Sequence, residues 1–179
     1  LTTQDINQRI ADCGRQMATA TITAFTTGDT VHPPTLIAAC ARMAGMYVVR
    51  TLPLPGGLEP GQPVLSDEAN RMGPVLVNTC ARILAALGKE MPPTPPPPMT
   101  EEKEKPRLTI LETEAKLDPV FSMLRTQFNL DLEQSARAAA VATGIVVHAV
   151  SKGFDHVKGF GVAVYGFVEG SKTVPVPGE

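Results

Sequence analysis

Three thiols and three imidazoles are the groups in this chain best suited to nucleophilic or metal chemistry, and their spacing limits both. Cys13, Cys40 and Cys80 are odd in number and include no CxxC pair, which argues against a disulfide framework and a closed zinc site. A catalytic thiol also needs a basic neighbour or a helix N-terminus to populate its thiolate. Cys40 and Cys80 instead fall in mid-helix on apolar stripes and read as small buried hydrophobes, while Cys13 lies between Asp12 and Gly14, an acidic setting. His32, His148 and His156 form no HExxH or ExxH pattern and no pair three or four residues apart. On a continuous helix His148 and His156 would stand roughly 80° apart on the wheel, a poor arrangement for one ion even with Glu112, Glu114 or Glu133 nearby. No metal site is expected. His148 reads as a core or interface residue with one nitrogen hydrogen-bonded, and His156 as part of a solvated face with Asp155.

The arginines offer a second candidate. Pro34-x-Leu36-x3-Cys40-Ala41-Arg42 recurs as Pro74-x-Leu76-x3-Cys80-Ala81-Arg82, 40 residues further on. Duplication and chance resemblance of two apolar helices explain this about equally well. If the two helices pack side by side, Arg42 and Arg82 could hold one anion; the simpler and preferred reading makes both surface charges pointing away from the cysteine stripe. Phosphate loops, dinucleotide fingerprints, a GxSxG elbow and paired catalytic carboxylates at a known spacing do not occur, and no cofactor is indicated.

The elements that must position these residues are helical. With 43% apolar and 19% charged residues the chain can bury enough surface to offset its conformational entropy, and its 179 residues suit a single core. That core draws on Ala, Val, Leu and Met, with no Trp, two Tyr and six Phe, as close-packed helices would. The net charge of -2 gives no footprint for nucleic acid. The longest apolar stretch, Ala138 to Val150, is too short to span a bilayer and contains His148. Leu1 to Arg9 lack the pattern of a secretory leader, and the thiol usage suits a reducing cytoplasm.

Along the chain, Thr2 or Thr3 can cap a helix that ends near Gly28, and His32-Pro33-Pro34 starts a second, with Leu36, Cys40, Met43 and Tyr47 on one face. The segment 53–63 reads as an exposed loop. Ser66 caps a third helix that Gly73-Pro74 should break or kink, with a fresh turn from Pro74 to Leu87. Residues 92–105 combine a proline run with a charged run. They read as a stiff spacer, preferred over a proline-rich ligand for an SH3-like or WW-like partner. Residues 107–112 satisfy neither periodicity. Asp118-Pro119 looks like a helix start, Asp131 with Gln134 like the capping box of a helix to about Lys152, and Phe154 to Val168 like a glycine-rich final helix.

The expectation is therefore an all-α bundle of five to six helices, divided into a helical half (1–90), a linker (91–106), a second half packing on the first (107–170) and a tail or arm (171–179). Two functions compete, and the first is preferred. One is a non-enzymatic cytoplasmic protein acting through self-association, as a homodimer, or through a protein partner. Its surface would be Phe154, Phe160, Tyr165 and Phe167, which spread too widely around a helix for one small core. Gly159, Gly161 and Gly166 would admit a second backbone there, from a partner or from the first helix. The other is a small helical enzyme or ligand carrier, marked by a pocket in which His148 or an arginine converges with a carboxylate.

Overall fold

The computed structural model of the protein describes residues 2–26, 31–92, 96 and 98–177. Six helices follow in order: α1 (Thr3–Phe25), α2 (Pro33–Val49), α3 (Asp67–Ala86), α4 (Ile110–Gln127), α5 (Leu132–Val150) and α6 (His156–Ser171), with one 3-10 turn at Glu102–Glu104. Among the described residues there is no strand, only an isolated antiparallel bridge between Pro63 and Thr173. The fold is the expected multi-helix bundle. No helix among the described residues is long and apolar enough to cross a membrane.

Local chemistry explains most of the helix starts. Thr2 and Asp5 exchange bonds in a capping box, Ser66 accepts from the Ala69 N–H at 3.1 Å, and Asp131 and Gln134 form a second box. The described end of α1 is Phe25; Gly28 lies outside the described residues.

Two helix boundaries differ from the sequence reading. Helix α3 runs through Gly73-Pro74 without ending, and α4 runs through Asp118-Pro119, starting instead at a Thr109–Glu112 capping box. The reason is the same in both. Pro74 and Pro119 are exposed, and so are Asn70 and Ala115, the residues one turn earlier whose carbonyls lose their partner. Water can take those carbonyls, while the apolar stripes Met72–Leu76–Cys80 and Leu117–Phe121–Leu124 stay buried across each proline.

Helix α2 is the axis of the bundle. Every residue from Pro34 to Val49 is buried, so the single apolar face of the sequence reading is in fact the whole circumference. Helices α5 and α6 cover most of it, and α5 also carries α1 and α3. Small residues permit this crowding. A Cβ added at Gly45 would stand 2.4 Å from the Ser171 nitrogen, and one at Gly170 would stand 2.2 Å from the Arg42 carbonyl oxygen, so α2 and α6 touch backbone to backbone. Two of the glycines read as room for a partner or for α1 pack inside the bundle. Gly166 lies on Ala38 and Ala41 of α2, and Gly159 on Ile37 and on Val147 of α5.

Two segments without regular structure are tied down. Lys172 and Val174 exchange backbone bonds with Gly61, Gln62 and Val64 at 2.8–2.9 Å, so the end of the chain is a docked arm as far as residue 177. In the charged run of the linker, Glu104 is buried at 4% exposure. Its ion pair with Lys158 of α6 compensates, and that pair holds the Glu104 carboxyl below the usual carboxylate range.

Candidate functional site

The residues singled out from sequence do not converge. Phe167 is core at 1% exposure, Phe154 and Phe160 are half-buried against the core, and Tyr165 is 48% exposed. Arg42, read as a surface charge, is buried. Its Nε donates to Glu169 Oε2 at 2.6 Å, and its Nη1 donates to the Leu108 carbonyl at 2.7 Å and to Thr113 Oγ1 at 3.3 Å. Arg82 is exposed on α3 beside Asn78, Glu90 and Met91. All three cysteines are free and buried. Burial pushes the thiols of Cys13 and Cys40 up to about 11 and that of Cys80 higher still, so they stay protonated. The three histidines lie apart: His32 precedes α2 with its Nδ1 2.7 Å from Thr35 Oγ1 and no side-chain bond to the helix backbone, His148 is half-buried on α5, and His156 opens α6 with Nε2 at 3.3 Å from the Glu90 carbonyl. Among the described residues no three His, Cys, Asp or Glu gather closely enough to hold a metal ion.

An arginine does meet carboxylates, at a place the sequence reading passed over. Arg50 closes the apolar run of α2. Its Nη2 donates to Glu114 Oε1 at 2.8 Å and its Nη1 to Asp118 Oδ1 at 2.6 Å, both on α4. Burial of the guanidinium works against its charge, but the two carboxylates outweigh it and hold Arg50 protonated. Ser122, one turn beyond Asp118, donates to the same Oδ1 at 3.2 Å. Glu114, only 2% exposed, also accepts the Val176 N–H at 3.0 Å and so anchors the arm. Burial pushes the Glu114 carboxyl up in spite of these bonds, and the negative charge of Asp118 adds to the rise. Tyr47, one turn before Arg50, places its ring 5.6 Å from the guanidinium carbon. Its hydroxyl is buried without a hydrogen-bond partner among the described residues, as is Arg50 Nε. The charged and polar groups around that hydroxyl are Asp118, Arg50, Ser122 and Arg125; burial, helped by Asp118, pushes the phenol up and leaves it a donor.

Arg50, Asp118, Ser122 and Arg125 of this group line an open cleft of about 1290 Å³, while Glu114 and Tyr47 lie behind them. One wall is the end of α2 and the loop after it, with Leu52, Leu54 and Leu58. The opposite wall is α4, with Met123 and Arg125, and the third is the arm from Val174 to Pro177. Met123 is 57% exposed and Val176 44%, so apolar surface continues to the rim. The volume exceeds the roughly 300–1,000 Å³ of ordinary small-molecule pockets, and the pattern of apolar walls with a few convergent polar groups is theirs.

Sequence reasoning missed this site because Asp118 was spent on a helix cap and Tyr47 on the core. One signal was present. Glu114 and Asp118 stand one turn apart on the same helix face, a like-charge pair that is unfavourable by itself and calls for a cation between them. No protein-family model, curated protein or solved structure matches the chain.

Proposed function

We propose that the protein binds a small apolar ligand in the cleft between α2, α4 and the C-terminal arm. The observation that carries this reading is the convergence of Arg50 with Glu114 and Asp118 beside a cleft lined mainly by apolar side chains. Arg50 is already committed through both terminal nitrogens to Glu114 and Asp118, which suits holding a ligand rather than transforming it. Nile red, a neutral apolar dye, tests the site directly. It is expected to bind one per chain with enhanced fluorescence, and a Leu54→Glu, Met123→Glu variant of unchanged helicity is expected not to bind it. Undiminished binding by that variant would place the dye elsewhere and remove the reading.

Self-association in the cytoplasm, as a homodimer, is the second reading, favoured by one observation. Tyr165 and Val168 are 48% and 45% exposed and stand three residues apart on the outer face of α6. Sedimentation of the wild type beside a Tyr165→Glu, Val168→Glu variant decides it. A wild type that remains monomeric at tens of micromolar, roughly the weak end of specific association, contradicts the dimer.

A further inference from the structure

We infer that residues 55–58 are a lid that folds down over an apolar ligand in the cleft, with Leu58 as the side chain that closes on it. The inference rests on the cleft being a ligand site and adds how the site encloses what it holds. The lid lies within the loop after α2, and both ends of that loop are fastened. At the near end the Leu52 N–H donates to the Val49 carbonyl and the Leu54 N–H to the Leu52 carbonyl, both at 2.9 Å. At the far end the Gln62 N–H donates to the Glu59 carbonyl and the Glu59 N–H to Gln62 Oε1, both at 3.1 Å. The Gly61 N–H adds a bond to the Val174 carbonyl of the arm at 2.8 Å.

Between these anchors Pro55, Gly56, Gly57 and Leu58 make no hydrogen bond among the described residues. Pro55, Gly56 and Gly57 are exposed, so water serves their backbone groups equally well in other arrangements and no bond holds them in this one. Beyond the adjoining residues, no atom lies within 4 Å of where a Cβ at Gly56 or Gly57 would stand, and Gly57 has a φ of 89°, in the region glycine alone enters freely. The segment is nevertheless not purely polar. Leu58 is half-buried and lines the cleft together with Leu54, across from Met123 of α4. At about 1290 Å³ the cleft is wider than the roughly 300–1,000 Å³ of ordinary ligand sites. Closure narrows it and takes the remaining surface of Leu58 out of water. Burial favours that closure only when an apolar ligand supplies the surface to close on, so ligand binding and lid closure are coupled.

Nitrogen-15 relaxation of the intact chain, free and saturated with Nile red, tests the lid. In the free protein the amides of Gly56, Gly57 and Leu58 are expected to have order parameters below about 0.6, rising toward about 0.85 in the complex. Leu58→Ala is expected to bind the dye roughly fivefold more weakly, from the apolar surface it loses. It is also expected to leave Gly56 and Gly57 mobile when saturated, an effect that loss of a fixed wall does not produce. A variant loop that orders as fully as the wild type's would overturn the role of Leu58. Free-state order parameters of about 0.85 with no microsecond-to-millisecond exchange, or dye binding that leaves the wild-type loop as mobile as before, would overturn the lid and leave the cleft a ligand site. Failure of the dye to bind would remove the ligand site and the lid with it.

Discussion

Replacing Arg50 by Met removes the cation between Glu114 and Asp118 while keeping most of the side chain's apolar volume. Glu114 is 2% exposed and the Arg50 side chain 15%, so the change strands a carboxylate out of reach of bulk water. Removing one partner of a buried pair costs about 3–5 kcal/mol. Two features put this site at the lower end: Asp118, 26% exposed, rehydrates, and Glu114 keeps the N–H of Val176. A loss of about 3 kcal/mol lowers the melting temperature by roughly 6–12 °C for a chain of this length.

The pH dependence has a definite sign. Because burial raises the folded-state pKa of Glu114, the folded protein binds more protons than the unfolded chain between the ordinary carboxylate value and the raised one. This contribution to stability is full below that window and is lost as pH rises through it. Without Arg50 the pKa rises further, so the variant's deficit is largest at neutral pH and shrinks on acidification. Urea unfolding followed by far-UV circular dichroism at neutral and mildly acidic pH measures both. The Arg50→Met, Glu114→Gln double variant, which removes the buried charge and keeps an acceptor for Val176, is expected to recover about half of the loss. A single-variant loss under about 0.5 kcal/mol, the scale of a neutral surface change, or a deficit that grows on acidification would refute the reasoning.

Three further outcomes follow from the packing. Cys13, Cys40 and Cys80 are expected to react slowly with a thiol reagent in the native protein and rapidly in urea; fast native labelling of Cys40 and Cys80 contradicts their placement. Gly45→Ala is expected to destabilise by about 1–3 kcal/mol in urea unfolding, the cost of overpacking, because its Cβ would meet the Ser171 backbone. Val174→Asp, at a position 5% exposed, is expected to release the arm. Limited proteolysis near residue 174 should then rise and Nile red affinity fall, whereas an arm as resistant as the wild type's contradicts its role as a wall.

What could be read in advance was whatever depends on neighbours in sequence. The capping residues Thr2, Ser66 and Asp131 act within three residues of themselves, and each marks a helix start in the structure. The Thr109–Glu112 box is equally local, but the flanking Leu108, Ile110 and Leu111 blurred the period and hid it. The prolines misled because their effect depends on which side of the helix faces water, a property of packing. The burial of Arg42 and the Arg50 cluster were invisible for a related reason. Their partners are distant in the chain: Arg42 pairs with Glu169, and Arg50 with Glu114 and Asp118, and only the fold chooses them. The aromatic residues of α6 looked like a partner surface because α2 was taken as amphipathic. Once α2 is buried all round, α6 supplies part of its cover, and Phe167 belongs to the core.

The central claim, that the cleft is where this protein binds its ligand, is tested most directly by amide chemical-shift mapping during a titration with Nile red. The account expects saturable shifts confined to residues 49–58, 118–127 and 174–177. Shifts that instead follow the outer face of α6 around Tyr165 and Val168, or that scatter over the surface without saturating, would contradict it.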